Sequence, residues 1–138
     1  MQTSIDLNAD MGESFGPWKM GDDAALLDVV SSGDADVMAE TMARAVANDV
    51  GIGAHPGFAD LQGFGRNRMD VPRATLANQV RYQLGAAMAM AQAAGGAVRH
   101  LKLHGALANM ASEDEGLARA CYEAALSVGP DIILMVLA

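Results

Sequence analysis

G-I-G-A-H-P-G-F-A-D-L-Q-G-F-G-R, residues 51–66, holds five of the chain's fifteen glycines together with a histidine, a proline, an aspartate and an arginine. Its first four residues read as a short apolar strand. The rest reads as a loop whose entropy cost needs a reason, because glycine allows positive φ and close approach of the backbone to another group. After the loop, residues 72–94 carry the pattern of a long helix, with Pro72 suited to its first turn and Gly95-Gly96 suited to its end. Residues 99–103 then read as a second strand. Strand, long helix and strand make a βαβ unit, and a βαβ unit implies a parallel sheet.

Working outward from that unit, residues 4–8 (S-I-D-L-N) alternate polar and apolar and predict a first strand, followed by the turn-like A-D-M-G-E. Asp22 or Asp23 can cap a helix carrying Ala24, Leu26, Leu27, Val29 and Val30 as far as Ser31. Ser32-Gly33-Asp34 leads directly into another helix over residues 35–48, with Val37, Met38, Met42, Ala45 and Val46 on one face. Two helices thus meet where alternation requires a strand. Towards the other end, a loop is expected over residues 105–111 and a helix over 112–128, with Glu113, Asp114 and Glu115 in its first turn. Gly129-Pro130 breaks that helix, and residues 131–137 read as an apolar strand. Four strands, near residues 6, 52, 101 and 134, are too few to close a barrel. The expectation is an α/β fold, open or barrel-like, with a strand missing near Ser32-Gly33.

Bulk composition narrows the function classes. With 138 residues, 51% of them hydrophobic, the chain fits one domain with a real core. A net charge of -8 disfavours nucleic acid or an anionic membrane as the main partner. Cys121 is the one cysteine, so no internal disulfide framework exists, and its helical context makes it a core residue rather than a nucleophile. No basic and apolar leader and no apolar run of membrane-spanning length is present, so the expected location is cytoplasmic.

In parallel sheets ligands bind beyond the carboxyl ends of the strands. Three predicted segments lie there, and all carry unusual chemistry. Asp6, Asn8, Asp10 and Glu13 cluster at the first strand end, where residues 6, 8 and 10 share a side if extended geometry persists. Converging carboxylates suit a cation or acid–base work, and a polar turn is the plainer alternative. His55 directly follows a strand, held extended by Pro56. His104 follows the strand R-H-L-K-L, with Lys102 two residues earlier on the same side. Two histidines at equivalent topological positions suggest a shared site that moves protons or binds a metal, with Asp10, His55 and His104 as the candidate ligands. His100, deeper in the strand, reads as structural. Arg66 and Lys102 offer positive charge to an anionic substrate, whereas Arg68 reads as surface charge. No P-loop, dinucleotide fingerprint or nucleophile elbow occurs.

Three motifs, D-L-N-A-D-M-G-E (residues 6–13), G-A-H-P-G-F-A-D with G-F-G-R (53–60 and 63–66) and K-L-H-G-A-L-A-N (102–109), resemble the LamB/YcsF family along the whole chain. The resemblance implies a (β/α) barrel of the glycoside hydrolase/deacetylase type, here incomplete at one strand and in its C-terminal part. It implies hydrolytic opening of 5-oxo-L-proline to L-glutamate coupled to ATP hydrolysis, with separate B and C subunits as partners. Asp10, Glu13, His55, Lys102 and His104 would carry the chemistry, supported by Asn8, Asp60, Arg66 and Asn109. ATP is then the cofactor of the assembled complex, a divalent metal is compatible with the site, and so is a homo-oligomer. Two other readings stay open: a stand-alone metal-dependent amidase or deacetylase, and a non-catalytic substrate-binding subunit. The chain departs from the family pattern where an A-C-G-F-H-A-G-D segment is reduced to Gly33-Asp34, and where Leu103, Ala108 and Asn67 replace proline, tyrosine and arginine.

Overall fold

The computed structural model describes residues 10–11, 28–29 and 35–137, with the side chains of the first two segments outside the description. Five strands, β1 (Asp10–Met11), β2 (Asp28–Val29), β3 (Ile52–Ala54), β4 (Val98–Lys102) and β5 (Ile133–Met135), pair in parallel in the order of the chain. Asp10 pairs with Asp28, Val29 with Ala54, Ala54 with Leu101, and Leu101 with Leu134. Helix α1 (Ala35–Ala47) joins β2 to β3, α2 (Arg73–Ala93) joins β3 to β4, and α3 (Gly105–Glu113) with α4 (Glu115–Val128) joins β4 to β5. Parallel neighbours need such crossovers, and their shared right-handedness places successive helices on one face.

The helices pack through small side chains. On α2, Leu76, Val80, Leu84, Ala87 and Ala91 repeat at three- and four-residue intervals and are all buried. They meet Met38, Met42 and Ala45 of α1, and Leu117, Cys121, Ala124 and Ala125 of α4, in one core with Ile52, Ala54 and Leu101 of the sheet. Burial pushes the Cys121 thiol up to about 11, so it is an inert core residue, as its helical context predicts. On β4 the pleat separates Leu101, fully buried, from half-buried His100 and Lys102 on either side of it. Among the described residues no helix is long and apolar enough to cross a membrane.

Three sequence expectations are corrected. Asp28–Val29, expected inside a helix running to Ser31, is a strand between β1 and β3, and it supplies the strand that alternation required. Local helical periodicity yields there to sheet pairing, which β-branched valine suits. The other residues of that expected helix, and the first strand expected over residues 4–8, lie outside the described residues. Asp10–Met11, expected in the turn after that strand, are themselves extended. The loop expected over residues 105–111 is helix α3, because Ala106, Leu107 and Ala111 have an apolar surface to bury against. The next helix therefore starts at Glu115, not Ser112.

Asp114 marks that boundary. Its carboxylate accepts the Leu117 backbone N–H at 3.0 Å and pairs with Arg73 across the α2–α4 contact. The Leu117 N–H, then Arg73, hold its pKa below the usual 3.8, so the contribution exists above that value and disappears as pH falls through the lowered one. Asp114→Ala should lower the urea midpoint at neutral pH, with the gap from the parent chain narrowing below about pH 4. A gap independent of pH would show that the charge contributes nothing.

Candidate functional site

Two buried imidazoles meet at the carboxyl ends of β3 and β4. His55 is the residue after β3 and His104 the N-terminal cap of α3, two residues past β4. They are 2% and 4% exposed, so each ring nitrogen needs a partner. Each has one. His55 Nδ1 lies 2.6 Å from the Lys102 carbonyl oxygen, His104 Nε2 lies 2.7 Å from the Phe64 carbonyl oxygen, and His55 Nε2 faces His104 Nδ1 at 3.1 Å. The rings meet edge to face, with centroids 4.8 Å apart.

These partners assign the protons. A carbonyl oxygen can only accept, so His55 carries its proton on Nδ1 and His104 carries its own on Nε2. Both facing nitrogens are then lone pairs. Two lone pairs 3.1 Å apart repel, and one further proton between them converts the contact into a hydrogen bond. The geometry is therefore that of a proton acceptor whose gain of a proton is met by a partner already in place.

The 51–66 segment supplies the wall around this pair. Phe64 and Gly65 are consecutive left-handed residues, at φ 55 and 66, and this turn aims the Phe64 carbonyl at His104. Side chains other than glycine seldom adopt such φ values, and strain of this kind collects at functional sites. A Cβ at Gly65 would come within 2.9 Å of His104 Cδ2, so the imidazole lies directly on the backbone there. Gly65 also accepts the Ala106 N–H, joining the loop to the start of α3. Asp60 staples the loop from inside, accepting from Gly63 N at 2.8 Å and from Asn67 Nδ2 at 3.1 Å.

A cavity of about 570 Å³ opens beside the pair, lined by His55, Lys102, Arg66, Asn109 and Tyr122 among others. Arg66 stands with its guanidinium carbon 5.5 Å from the centre of the Phe64 ring. The Tyr122 phenol is held above its usual range by burial and then by Cys121.

Of the residues singled out in the sequence, His55, Lys102, Arg66 and Asn109 line this cavity and His104 backs it through His55. Asp60 does not line it, its two oxygens being used within the loop. Asp10 is in β1 with its side chain outside the description, and Asn8 and Glu13 lie outside the described residues. His100 sits in β4 opposite Gly53 and Ile133, away from the cavity. Arg68 pairs with Glu113 on the surface, the role its sequence suggests.

Of the candidate metal ligands, only His55 and His104 have described side chains. Their outer nitrogens are taken by carbonyls, among the described residues no three His, Cys, Asp or Glu side chains converge, and the side chain of Asp10, the third candidate ligand, lies outside the description.

Sequence reasoning missed Phe64, Tyr122 and Gln83. No pattern announces a backbone carbonyl such as that of Phe64. Gln83 left a signal, a polar residue within the apolar stripe of α2.

The LamB/YcsF family profile matches residues 5–138. The A subunit of a 5-oxoprolinase from Ruegeria pomeroyi is 67% identical over 145 aligned positions, covering 99% of this chain and 57% of the relative. The corresponding protein of Rhodopseudomonas palustris strain BisA53 is 49% identical over 99% of this chain and 57% of its own length. The crystal structure of a lactam utilization protein from Thermus thermophilus superposes with a TM-score of 0.93 at 37% identity, covering 98% of this chain and 58% of that one. The chain thus spans little more than half the length of these relatives. The 145 aligned positions exceed the chain's 138 residues by seven (145 − 138), so the first relative has at least that many internal residues without a counterpart here.

The loop geometry is open to test. Gly65→Ala should cost about 1–2 kcal/mol in urea unfolding, from left-handed strain alone, and should displace the His104 ring resonances. An unchanged midpoint with unchanged His104 signals would contradict the close contact.

Proposed function

We propose, from the premise that this chain belongs to the LamB/YcsF family, that it supplies the hydrolytic site of an ATP-dependent 5-oxoprolinase. In this reading 5-oxo-L-proline is opened to L-glutamate in a complex with B and C subunits. The observation that carries the proposal is the buried His55–His104 pair, its facing nitrogens 3.1 Å apart, beside a cavity that also presents Lys102 and Arg66. The names of the relatives, the 5-oxoprolinase A subunits and the lactam utilization protein, support the substrate class.

A five-membered lactam is an unstrained amide, so its carbonyl is a poor electrophile. When bound in the assembled complex, ATP supplies the phosphoryl group that activates that carbonyl. The residues of this chain then do three things. Lys102 and Arg66 attract the ligand's carboxylate or phosphate, and Asn109 offers an amide to orient it. His55 receives the proton of an attacking water, and His104 stabilises the gained charge through the shared contact. Water forms a C–O bond at the activated carbonyl and the ring C–N bond breaks, the water's protons going to the departing nitrogen; the acyl phosphate so formed is then hydrolysed by a second water to glutamate and phosphate.

Asp10, with Asn8 and Glu13, belongs to the same proposal as a further strand-end wall. Asp60 supports it by holding the loop rather than by meeting substrate. The sheet itself, parallel and sequential in order, is proposed to be a segment of a (β/α) barrel.

His55→Ala, in the reconstituted complex of the full-length protein, should reduce oxoproline-dependent ATP hydrolysis by about 10²-fold or more, the usual scale for loss of an acid–base group. Lys102→Met should raise KM for 5-oxoproline more than it lowers kcat. Full activity of the His55 variant would overturn the assignment. Turnover by the isolated protein without partners would favour a stand-alone amidase instead.

A further inference from the structure

The segment that carries His55 is held by a side chain from a different element. Gln83 lies on the buried face of α2, 5% exposed, with Val80, Leu84 and Ala87 as its apolar neighbours along the helix. Its Nε2 donates to the Gly57 carbonyl at 2.8 Å, and its Oε1 accepts the Gly57 N–H at 3.1 Å. A side-chain amide paired with both polar groups of one residue acts as a strand's backbone would. It fixes the peptide planes on either side of Gly57. By contrast, Gln79 Oε1, one turn earlier, is buried without a hydrogen-bond partner among the described residues.

Gly57 is the point at which the two histidine segments touch. A Cβ there would fall 3.1 Å from His104 Cδ2 and 3.2 Å from His104 Cβ. The preceding residue, Pro56, accepts the His104 backbone N–H at 2.9 Å, and the residue before that is His55. His55-Pro56-Gly57 thus meets His104 through a ring contact, a backbone hydrogen bond and direct packing. The backbone polar groups at the far end of this segment are both taken by Gln83.

We propose that Gln83 is a positioning residue, which sets the His55 Nε2 to His104 Nδ1 separation by clasping Gly57 from α2. Its importance for activity rests on reading the histidine pair as the proton acceptor, whereas its effect on ring geometry does not. Loss of the clasp leaves Gly57 free to shift against His104, and a displaced pair accepts a proton less well while the anion-binding side chains stay where they are. The signature is therefore a fall in kcat at nearly constant KM.

Two variants of the full-length chain test this, Gln83→Met, which keeps length and removes both hydrogen bonds, and Gln83→Glu, which keeps the acceptor and loses the donor. In the assembled complex kcat should fall by about tenfold or more for Gln83→Met, with KM within about twofold of the parent and Gln83→Glu intermediate. In the isolated protein the ¹H–¹⁵N ring signals of His55 and His104 should shift in the same order. If Gln83→Met does not fold, the Gln83→Glu data decide by the same criteria. Unchanged ring signals in a cooperatively folded variant overturn the proposal whatever happens to turnover. Shifted ring signals with unchanged kcat leave the clasp standing and overturn its catalytic importance. If the parent complex does not hydrolyse 5-oxoproline, the functional reading fails while the ring signals still decide the role of Gln83.

Discussion

A buried imidazole N–H needs an acceptor, and here each ring's outer nitrogen meets a backbone carbonyl while the two inner nitrogens face each other at 3.1 Å. Leaving one nitrogen unpaired would cost about 1–3 kcal/mol, a large share of the stability of a small domain. The fold must therefore bring two backbone carbonyls, from Lys102 and Phe64, to the outer ends of the pair at 2.6 and 2.7 Å. One carbonyl comes from a strand end and the other from a left-handed turn. Neither could be supplied by a regular helix or strand interior, where carbonyls are already committed.

Much of the remaining architecture follows from that demand. Parallel pairing of β3 with β4 aligns their carboxyl ends, so that His55 and Lys102 become neighbours although 47 residues separate them. The turn at Phe64-Gly65 carries a side chain at positive φ because its carbonyl has to point inward. Asp60 holds that turn shut from within. The same feature that satisfies the rings polarises them, since carbonyls at both outer ends leave the inner nitrogens as facing lone pairs. The carbonyls that satisfy the outer nitrogens thus also set the inner pair face to face.

The sequence made the central βαβ unit legible because its signals agree: Pro72 opens the long helix, Gly95-Gly96 closes it, and a short strand pattern lies on each side. His55 and His104 were legible as a pair from topology alone, each falling just beyond a strand. Where the reading failed, tertiary contacts outweighed local pattern. Asp28–Val29 sits in a stretch of helical periodicity and becomes a strand because two neighbours pair with it. The α3 segment begins with glycine and looks like a loop until Ala106, Leu107 and Ala111 find an apolar surface. Asp60 accepts from Gly63 and Asn67, a role within the loop that composition does not announce. Phe64 was beyond reach, because its contribution is a carbonyl, which every residue has.

His55 and His104 carry their protons on the outer nitrogens, and their inner nitrogens share the next proton gained. Long-range ¹H–¹⁵N correlation spectra of the histidine-labelled protein test this most directly. The expected result is a protonated Nδ1 on His55 and a protonated Nε2 on His104, with the inner nitrogens shifting together when a proton is added. A His55 protonated at Nε2 alone, or two rings that respond independently of each other, would contradict it.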